Sequence, residues 1–300
     1  MIETKIAEYV SLQPYTTYRI GGPARYFLLA ESTDEVVDAI HWSRERRVPW
    51  FVLGGGSNLL ISDQGFPGLV IKLGRGFGKI EIDQEGGAIT AGGAVMLPKL
   101  GMHLVRQGWA GFEFMCGIPG TVGGAIRMNA GTKNGETKDN LVSVKVITPR
   151  GQMETIEKEA LGFTYRRSKL FKTQGIVAEA TFYLHHTENL ADLVHRVRDA
   201  LAERRRKQPA EKRNCGSVFR NPPGQRSAGW YLERACLKGT RIGDAMVAEE
   251  HANWILNLGR ATSQDVKALI EVCQHRVFGR FGVSLEKEVM FVPDDVLLLT

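Results

Sequence analysis

Two glycine-rich runs decide what this chain can fold into and bind: Leu53-Gly-Gly-Gly-Ser-Asn-Leu-Leu-Ile-Ser62 and Gly117-Ile-Pro-Gly-Thr-Val-Gly-Gly-Ala-Ile-Arg-Met-Asn-Ala-Gly131. Glycine accepts positive φ and lets a ligand approach the backbone closely, at an entropic cost to folding. Two such concentrations predict backbone amides that face an anionic ligand, most simply phosphate oxygens. Neither run has the spacing of G-x-x-x-x-G-K-[ST] or G-x-G-x-x-G, so two tight turns between strands remain the alternative.

The composition is that of a globular protein with more than one lobe. The chain has 300 residues, of which 43% are hydrophobic and 24% charged. Its net charge of +6 favours anionic ligands such as nucleotides but is too small to indicate nucleic acid. We find no signal peptide and no apolar run of about 18 residues, and therefore expect a cytoplasmic protein. The four cysteines lack C-x-x-C spacing and the seven histidines lack H-E-x-x-H, so we expect free thiols and no metal site.

Hydrophobic patterning divides the chain into three segments. Residues 1–73 predict an α+β lobe, residues 74–207 a strand-rich second lobe, and residues 208–300 a smaller C-terminal domain. The predicted strands span residues 24–30, 50–53, 59–62, 69–73, 79–83, 88–91, 141–148, 152–156, 176–184 and 288–292, and the predicted helices span residues 33–46, 96–107, 189–207, 228–236 and 262–278.

The long helix ends in the basic run Arg204-Arg-Arg-Lys207, and Pro209 follows. A basic helix end before a proline is typical of a helix stop, so we expect a solvated end and a linker into the third segment. A nucleic-acid patch is the alternative, but the run lacks interleaved aromatic residues.

Three polar motifs could carry chemistry. The first is a polar turn, Asn214-Cys-Gly-Ser-Val-Phe-Arg-Asn-Pro222. Its Ser217 does not fit the G-x-S-x-G pattern of hydrolases, so Ser217 is a poor nucleophile, but it could donate a proton. Phe163-Thr-Tyr-Arg-Arg-Ser-Lys-Leu170 predicts an anion cradle, because arginine binds carboxylates bidentately, or else an exposed basic loop. Leu285-Glu-Lys-Glu-Val-Met-Phe291 would place Glu286 and Glu288 on one face of a strand, commonly a solvent-facing one.

In their order along the chain, these stretches resemble the UDP-N-acetylenolpyruvoylglucosamine reductase (MurB) family. Pro14-Tyr-Thr-Thr-Tyr-Arg-Ile-Gly-Gly-Pro-Ala24 and the two glycine runs are similar to the flavin-binding half of that family. Four further stretches are similar to the catalytic half of that family: Tyr165-Arg166, Gly216-Ser217, Asn221-Pro222 and Leu285-Glu-x-Glu-Val289. The resemblance spans residues 12–292.

The resemblance implies an α+β fold: a two-lobed FAD-binding domain of the PCMH/vanillyl-alcohol-oxidase type, followed by a smaller α+β substrate-binding domain. It also implies reduction of UDP-N-acetylglucosamine enolpyruvate to UDP-N-acetylmuramate for peptidoglycan synthesis, with NADPH as reductant and bound, non-covalent FAD. The implied partners are the sugar nucleotide and NADPH, with no nucleic acid, no membrane and no obligate protein partner.

The resemblance also implies roles for individual residues. Ser217 would donate the proton, Arg166 would stabilise the substrate carboxylate and the developing enolate, and Glu288 would be an active-site acid or proton relay. Tyr165 and Asn221 would contact the substrate. The residues implied to hold FAD are Gly54, Gly55, Gly56, Ser57, Asn58, Gly117, Ile118, Gly120, Thr121, Gly123 and Gly124.

The segment between Arg166 and Ser217 is largely used by one strand and one helix, so the chain resembles the shorter subtype without an inserted Tyr loop. Arg205, Lys207 and Lys212 are candidates for nucleotide-phosphate contacts. Two alternatives stay open. One is a PCMH-type flavin oxidase or dehydrogenase with a different substrate. Members of that superfamily often tether FAD through His or Cys, and Cys116 lies beside the second glycine run, although no extended covalent motif is present. The other is a nucleotide-binding module without catalysis.

Overall fold

The first lobe is built on a four-stranded sheet in the computed structural model, which describes residues 2–209 and 212–297. Its elements are β1 (Ala7–Ser11), β2 (Pro23–Ala30), α1 (Thr33–Glu45), β3 (Trp50–Val52), β4 (Leu59–Ile61) and β5 (Phe66–Leu73). The strand order is β1-β2-β5-β3, with β1 antiparallel to β2 and with β5 parallel to both β2 and β3. Helix α1 begins after Ser32, whose hydroxyl accepts a hydrogen bond from the Glu35 N–H, and its apolar face packs on the sheet.

Strand β5 begins three residues earlier than its apolar pattern predicts, between the strands predicted at residues 59–62 and 69–73. Pro67 is exposed near the start of the strand, where a residue without an N–H is tolerated. Gly68 lies directly against the Pro49 carbonyl, so the strand continues where the sequence suggests a turn.

The second lobe is a five-stranded antiparallel sheet covered by helices. Its elements are β6 (Ile80–Ile82), β7 (Ala88–Gly92), α2 (Leu97–Arg106), β8 (Trp109–Ala110), α3 (Val122–Met128), β9 (Gly131–Thr132), β10 (Gly135–Glu136), α4 (Thr137–Asn140), β11 (Leu141–Ile147), β12 (Met153–Glu157), β13 (Ile176–Tyr183), β14 (His185–His186) and α5 (Leu190–Lys207). The sheet order is β12-β11-β13-β7-β6. Apolar residues of α2 and α3 pack against β7, β11 and β13 in one core.

The third segment combines three helices with a small antiparallel sheet, and its strand β18 returns to the first lobe. Its elements are α6 (Ala228–Arg234), β15 (Arg241–Ile242), β16 (Ala245–Val247), β17 (Ile255–Asn257), α7 (Ser263–Phe281), β18 (Met290–Val292) and α8 (Asp294–Leu297). Strands β15, β16 and β17 pair in that order. The predicted α+β class is confirmed.

The third segment is fixed to the first lobe at several points. Strand β18 pairs in parallel with β4, so that Met290 lies opposite Leu59. The Asp63 carboxylate accepts hydrogen bonds from the N–H of Ser263 at 2.8 Å and from its hydroxyl at 2.7 Å, at the first residue of α7. Tyr18 and Leu60 belong to the same apolar core as α6 and α7. These contacts hold the third segment over the edge of the first lobe.

No helix in the ranges 2–209 and 212–297 is long and apolar enough to cross a membrane.

We expect Asp63→Ala to destabilise the docking of α7, because it removes the acceptor of an otherwise unpaired N–H at a helix start. The expected loss is about 1–3 kcal/mol in the free energy of unfolding. Urea unfolding followed by circular dichroism measures it. Asp34→Ala, in the first turn of α1, is the matched control; equal losses in the two variants would contradict a specific role for the Asp63–Ser263 contact.

Candidate active site

A cavity of about 1060 Å³ lies where the three segments meet. This volume is at the upper end of the range for small-molecule sites, about 300–1,000 Å³. The basic side chains on its wall outnumber the acidic ones by eight to four, so the cavity favours an anionic ligand. The basic residues are Lys72, Arg75, Lys99, Arg127, Lys133, Arg166, Arg204 and Lys207, and the acidic ones are Glu31, Glu113, Glu203 and Glu288.

The two glycine runs face each other across one end of the cavity. The Ser57 hydroxyl donates a hydrogen bond to the Pro119 carbonyl at 3.0 Å. A Cβ added to Gly55 would lie 2.8 Å from the Gly120 Cα, a separation that real Cβ atoms do not show. Gly120 itself has a φ of +132°. Side chains are therefore excluded from this contact, and backbone is left to face the cavity.

Polar contacts hold both glycine runs in place. The Lys72 ammonium donates to the Gly54 carbonyl at 2.9 Å, and burial lowers the pKa of this lysine. The Thr121 hydroxyl accepts from the Gly124 N–H at 3.3 Å at the start of α3. All eleven predicted cofactor residues line the cavity. A close-packed backbone cradle next to an excess of cations fits the pyrophosphate of a dinucleotide such as FAD.

Arg166 is distant from the first glycine run in sequence but lines the same cavity. Its φ of +54° is unusual for a residue with a side chain. The guanidinium donates to the carbonyls of Gly131 at 2.7 Å and Asn129 at 3.3 Å. The side chain is only 17% exposed and lies 3.5 Å from the Glu288 carboxylate. Arg166 is thus a fixed cation rather than part of a loose basic loop.

Glu288 is the buried carboxylate of the site. Its side chain is 14% exposed. Its N–H donates to the Val218 carbonyl at 2.7 Å, and its own carbonyl accepts from the Asn58 amide at 3.1 Å. Burial raises the pKa of Glu288, and the charges of Arg166 and Arg220 oppose that rise. The carboxyl can therefore hold a proton closer to neutral pH than an exposed glutamate does.

The prediction that Glu286 and Glu288 share one face of a strand is wrong. Strand β18 begins only at Met290, so the alternation of a strand does not apply to residues 285–289. Instead, Lys287 forms an isolated bridge with Phe219, and the Glu286 side chain is 75% exposed. The two glutamates therefore occupy different environments.

Ser217 lies on the cavity wall in a turn whose backbone is held on both sides. Gly216 has a φ of +80°, and its N–H donates to the Asn214 side chain at 2.8 Å. The Val218 N–H donates to the Asn253 carbonyl at 2.9 Å, while the Val218 carbonyl accepts from Glu288. Ser217 is thereby placed next to the segment that carries Glu288.

Asn253 is a cavity-lining residue that the sequence analysis did not identify. It is buried, lines the cavity and pairs through its side-chain amide with both the N–H and the carbonyl of Phe219, at 2.9 and 2.8 Å. The available signal is an asparagine directly before the apolar stretch Trp254–Leu256. Its partner is 34 positions away, so spacing alone could not reveal the pairing.

The two residues expected to contact substrate lie together at the rim. The Asn221 amide nitrogen is 3.5 Å from the Tyr165 hydroxyl, and its amide oxygen accepts from the N–H of Ala228 at 3.0 Å, at the start of α6. Both residues line the cavity, and the Tyr165 ring lies 4.9 Å from the Arg166 guanidinium carbon. The tyrosine and the arginine therefore form one surface.

Of the three candidates for phosphate contacts, only Lys207 lines the cavity. Lys212 forms an ion pair with Glu250, and Arg205 is exposed. Arg204, which was not singled out, lines the cavity beside Gly117, and burial lowers its pKa. Helical periodicity explains why Arg204 lines the cavity and Arg205 does not. Position 204 continues the inner face of α5 that carries Val197, and position 205 does not.

Cys116 is not positioned to tether a cofactor. Burial raises its pKa to about 11, and it packs in an apolar cluster with α5 instead of lining the cavity. Among the residues that the structure describes, no group of three or more histidine, cysteine or acidic side chains could hold a metal ion.

The chain is similar to known proteins over nearly its whole length. Residues 208–292 match a family model described as the C-terminal domain of UDP-N-acetylenolpyruvoylglucosamine reductase, and residues 24–157 match an FAD-binding domain. Curated UDP-N-acetylenolpyruvoylglucosamine reductases of Desulforamulus reducens and Gloeobacter violaceus are 43% and 40% identical; the matches cover 95% and 94% of this chain and 92% and 95% of those proteins. The crystal structure of the Thermus caldophilus reductase aligns with a TM-score of 0.82 at 38% identity, covering 95% of this chain and 98% of that chain.

The raised pKa of Glu288 predicts a pH-dependent stability cost. When a carboxyl has a higher pKa in the folded state than in the unfolded state, its protonation stabilises the fold. This stabilisation is complete below the unfolded-state pKa and is lost as the pH rises through the folded-state pKa. We therefore expect Glu288→Gln to increase the free energy of unfolding at pH 7–8 by about 1–2 kcal/mol, with the gain vanishing near pH 4. Urea unfolding across that pH range measures it. A gain in the free energy of unfolding that does not change with pH would contradict a raised pKa of Glu288.

Proposed function

Since this chain belongs to the UDP-N-acetylenolpyruvoylglucosamine reductase family, we propose that it reduces UDP-N-acetylglucosamine enolpyruvate to UDP-N-acetylmuramate with electrons from NADPH. The observation that carries the proposal is that Arg166, Ser217 and Glu288 line the same cavity as the two glycine runs. The product is a precursor of peptidoglycan.

FAD, bound without a covalent link, supplies hydride transfer between NADPH and the enolpyruvyl group. The two glycine runs would hold its pyrophosphate, because they present backbone where side chains are excluded. Lys207 and Arg204 line the remaining wall near α5 and are the cations we propose for other phosphate groups of the ligands.

Arg166 would stabilise the charge that the reaction creates. Addition of hydride to the terminal enolpyruvyl carbon leaves an electron pair shared between the neighbouring carbon and its carboxylate. A guanidinium already fixed by the Gly131 and Asn129 carbonyls needs little reorganisation to meet that charge. A cation held in a partly buried site also acts more strongly than one in water.

Ser217 would complete the reaction by giving a proton to the carbon that holds the electron pair. The pKa of a serine hydroxyl is far too high for protonation of a weak base, but a carbanionic carbon is basic enough to take its proton. Glu288, held beside the Ser217 turn through Val218, would serve as the acid that returns a proton to this side of the site. The arrangement separates charge stabilisation from proton donation.

The reaction requires only small molecules: a sugar nucleotide, NADPH and the bound flavin. We propose that it takes place in the cytoplasm, where four free cysteines are stable, and that it needs neither nucleic acid nor a membrane. An anaerobic titration tests the proposal. NADPH should bleach the flavin, and the enolpyruvyl sugar nucleotide should restore its colour; restoration by oxygen alone would instead favour a flavin oxidase.

We expect Ser217→Ala to leave flavin reduction by NADPH intact while slowing reoxidation by the enolpyruvyl substrate about 10²–10⁴-fold, because the proton donor is lost. Stopped-flow absorbance of the flavin separates the two half-reactions. Equal loss of both half-reactions would contradict the role of Ser217 as proton donor. Ser284→Ala, an exposed serine before the Glu288 segment, is the control.

We expect Gly55→Ala to weaken FAD binding at least about tenfold, because a methyl group at this position would force the two glycine runs apart. The dissociation constant of FAD, measured by flavin fluorescence on the apoprotein, tests this. Gly279→Ala is the matched control, since a Cβ there meets nothing within 4 Å. Unchanged FAD affinity in Gly55→Ala would show that the contact between the runs does not shape the cofactor site.

A further inference from the structure

Arg166 lies between two carboxylates, of which the proposed function uses only one. Its Nε is 3.5 Å from a Glu288 oxygen, and its Nη1 is 3.5 Å from a Glu136 oxygen. Neither carboxylate forms a closer bidentate pair with the guanidinium, whose nearest acceptor is the Gly131 carbonyl at 2.7 Å. One guanidinium charge is therefore shared between Glu136, outside the reaction, and Glu288.

Glu136 is held in place by its own partners rather than by Arg166 alone. Its second oxygen accepts from the Asn129 side-chain amide at 3.0 Å and from the Lys138 ammonium at 3.0 Å. Asn129 is fully buried with a φ of +43°, and its amide also donates to the Thr164 carbonyl at 3.1 Å. The network joins the end of the second glycine run to the loop that carries Arg166.

The geometry makes Glu136 an electrostatic neighbour of Glu288 through one shared cation. A negative charge beside Arg166 reduces the positive potential that this arginine exerts on its other side. It also repels a second carboxylate directly, although at longer range. Both effects have the same sign at Glu288, since each disfavours its ionised form.

We propose that Glu136 acts on Glu288 through Arg166, as a positioning residue that limits how much of the Arg166 charge reaches Glu288 and the ligand. The inference rests on the proposed function for its catalytic meaning, because Glu288 matters to turnover only if it carries a proton there. The electrostatic part concerns this chain alone, with or without substrate.

Other titratable groups besides Arg166 lie near Glu288, and the test must separate their effects from that of Glu136. Arg166 and Arg220 both favour its ionised form. Burial raises the pKa of the Cys215 thiol to about 12, and the charge of Glu288 adds to that rise. Burial, followed by the charge of Arg167, lowers the pKa of Arg220. A change at Glu136 acts on Glu288 through Arg166, which lies 3.5 Å from each carboxylate, or through space.

A purely structural role for Glu136 is the competing explanation. Glu136 precedes the short helix α4 as its N-cap, and its N–H donates to the Asp139 carboxylate at 2.7 Å. If Glu136 mattered only because it organises this turn, its loss would release Arg166, and the pKa of Glu288 would rise as its cation moved away. The two explanations therefore predict shifts of opposite sign.

The experiment measures the Glu288 carboxyl directly in the FAD-loaded protein labelled with ¹³C at the glutamate side-chain carboxyl carbon. The resonance that disappears in Glu288→Gln assigns the group, and its chemical shift is followed from pH 4 to pH 9. We expect Glu136→Gln to lower the pKa of Glu288 by about half to one unit. Glu136→Asp retains the charge and should restore a value close to that of the unsubstituted protein.

Two further variants keep the test decisive. Glu136→Ser removes the charge but supplies a preferred N-cap for α4, so it should fold even if Glu136→Gln does not, and it should give the same downward shift. Glu154→Gln, an exposed acid on β12, is the matched control for charge removal and should give no shift. An unchanged or higher pKa of Glu288 in the charge-removing variants, or an equal decrease in Glu154→Gln, would overturn the proposal.

The outcome is independent of the test of the proposed function. Failure of the enolpyruvyl sugar nucleotide to reoxidise the flavin would refute the reductase assignment and leave the titration result standing. A normal reoxidation reaction together with an unshifted Glu288 titration would refute the role of Glu136 alone.

Discussion

The parallel pairing of β4 with β18 is the constraint on which the cavity depends. Strand β4 lies within the first glycine run, after its three glycines and Asn58, and β18 directly follows the segment that contains Glu288. Their register brings the N–H of Met290 to the Asn58 carbonyl at 3.0 Å, and the Asn58 amide then reaches the Glu288 carbonyl. One short pairing thus joins the cofactor cradle to the proposed acid, and Glu288 in turn holds the Ser217 turn through Val218.

The features that could be predicted from sequence are those with a local cause. The two glycine runs, the α1 cap at Ser32 and the long amphipathic helix α5 each depend on residues close together in the chain, and the structure contains all of them. The paired strands of the second lobe were also predictable, because apolar runs bounded by glycine and proline are strong local signals.

The features that escaped prediction depend on distant partners. The distinction between Glu286 and Glu288 is set by Lys287 bridging to Phe219 across 68 positions, not by strand alternation. The inward placement of Arg204 could have been found, because helical periodicity contains it, but its basic neighbours suggested a uniformly solvated end. The pairings of Asn253 with Phe219 and of Glu136 with Arg166 give no local signal, since each joins residues from separate elements.

The contact that joins the third segment to the first lobe also determines when the site can form during synthesis. The partner of β4 in its sheet is β18, more than two hundred residues further along the chain. The apolar core of the third segment likewise includes Tyr18, Ile20 and Leu60 from the beginning of the chain. Contacts of such long sequence separation form slowly and late. A nascent chain on the ribosome therefore carries both glycine runs, fully synthesised, long before it has a site for them to serve.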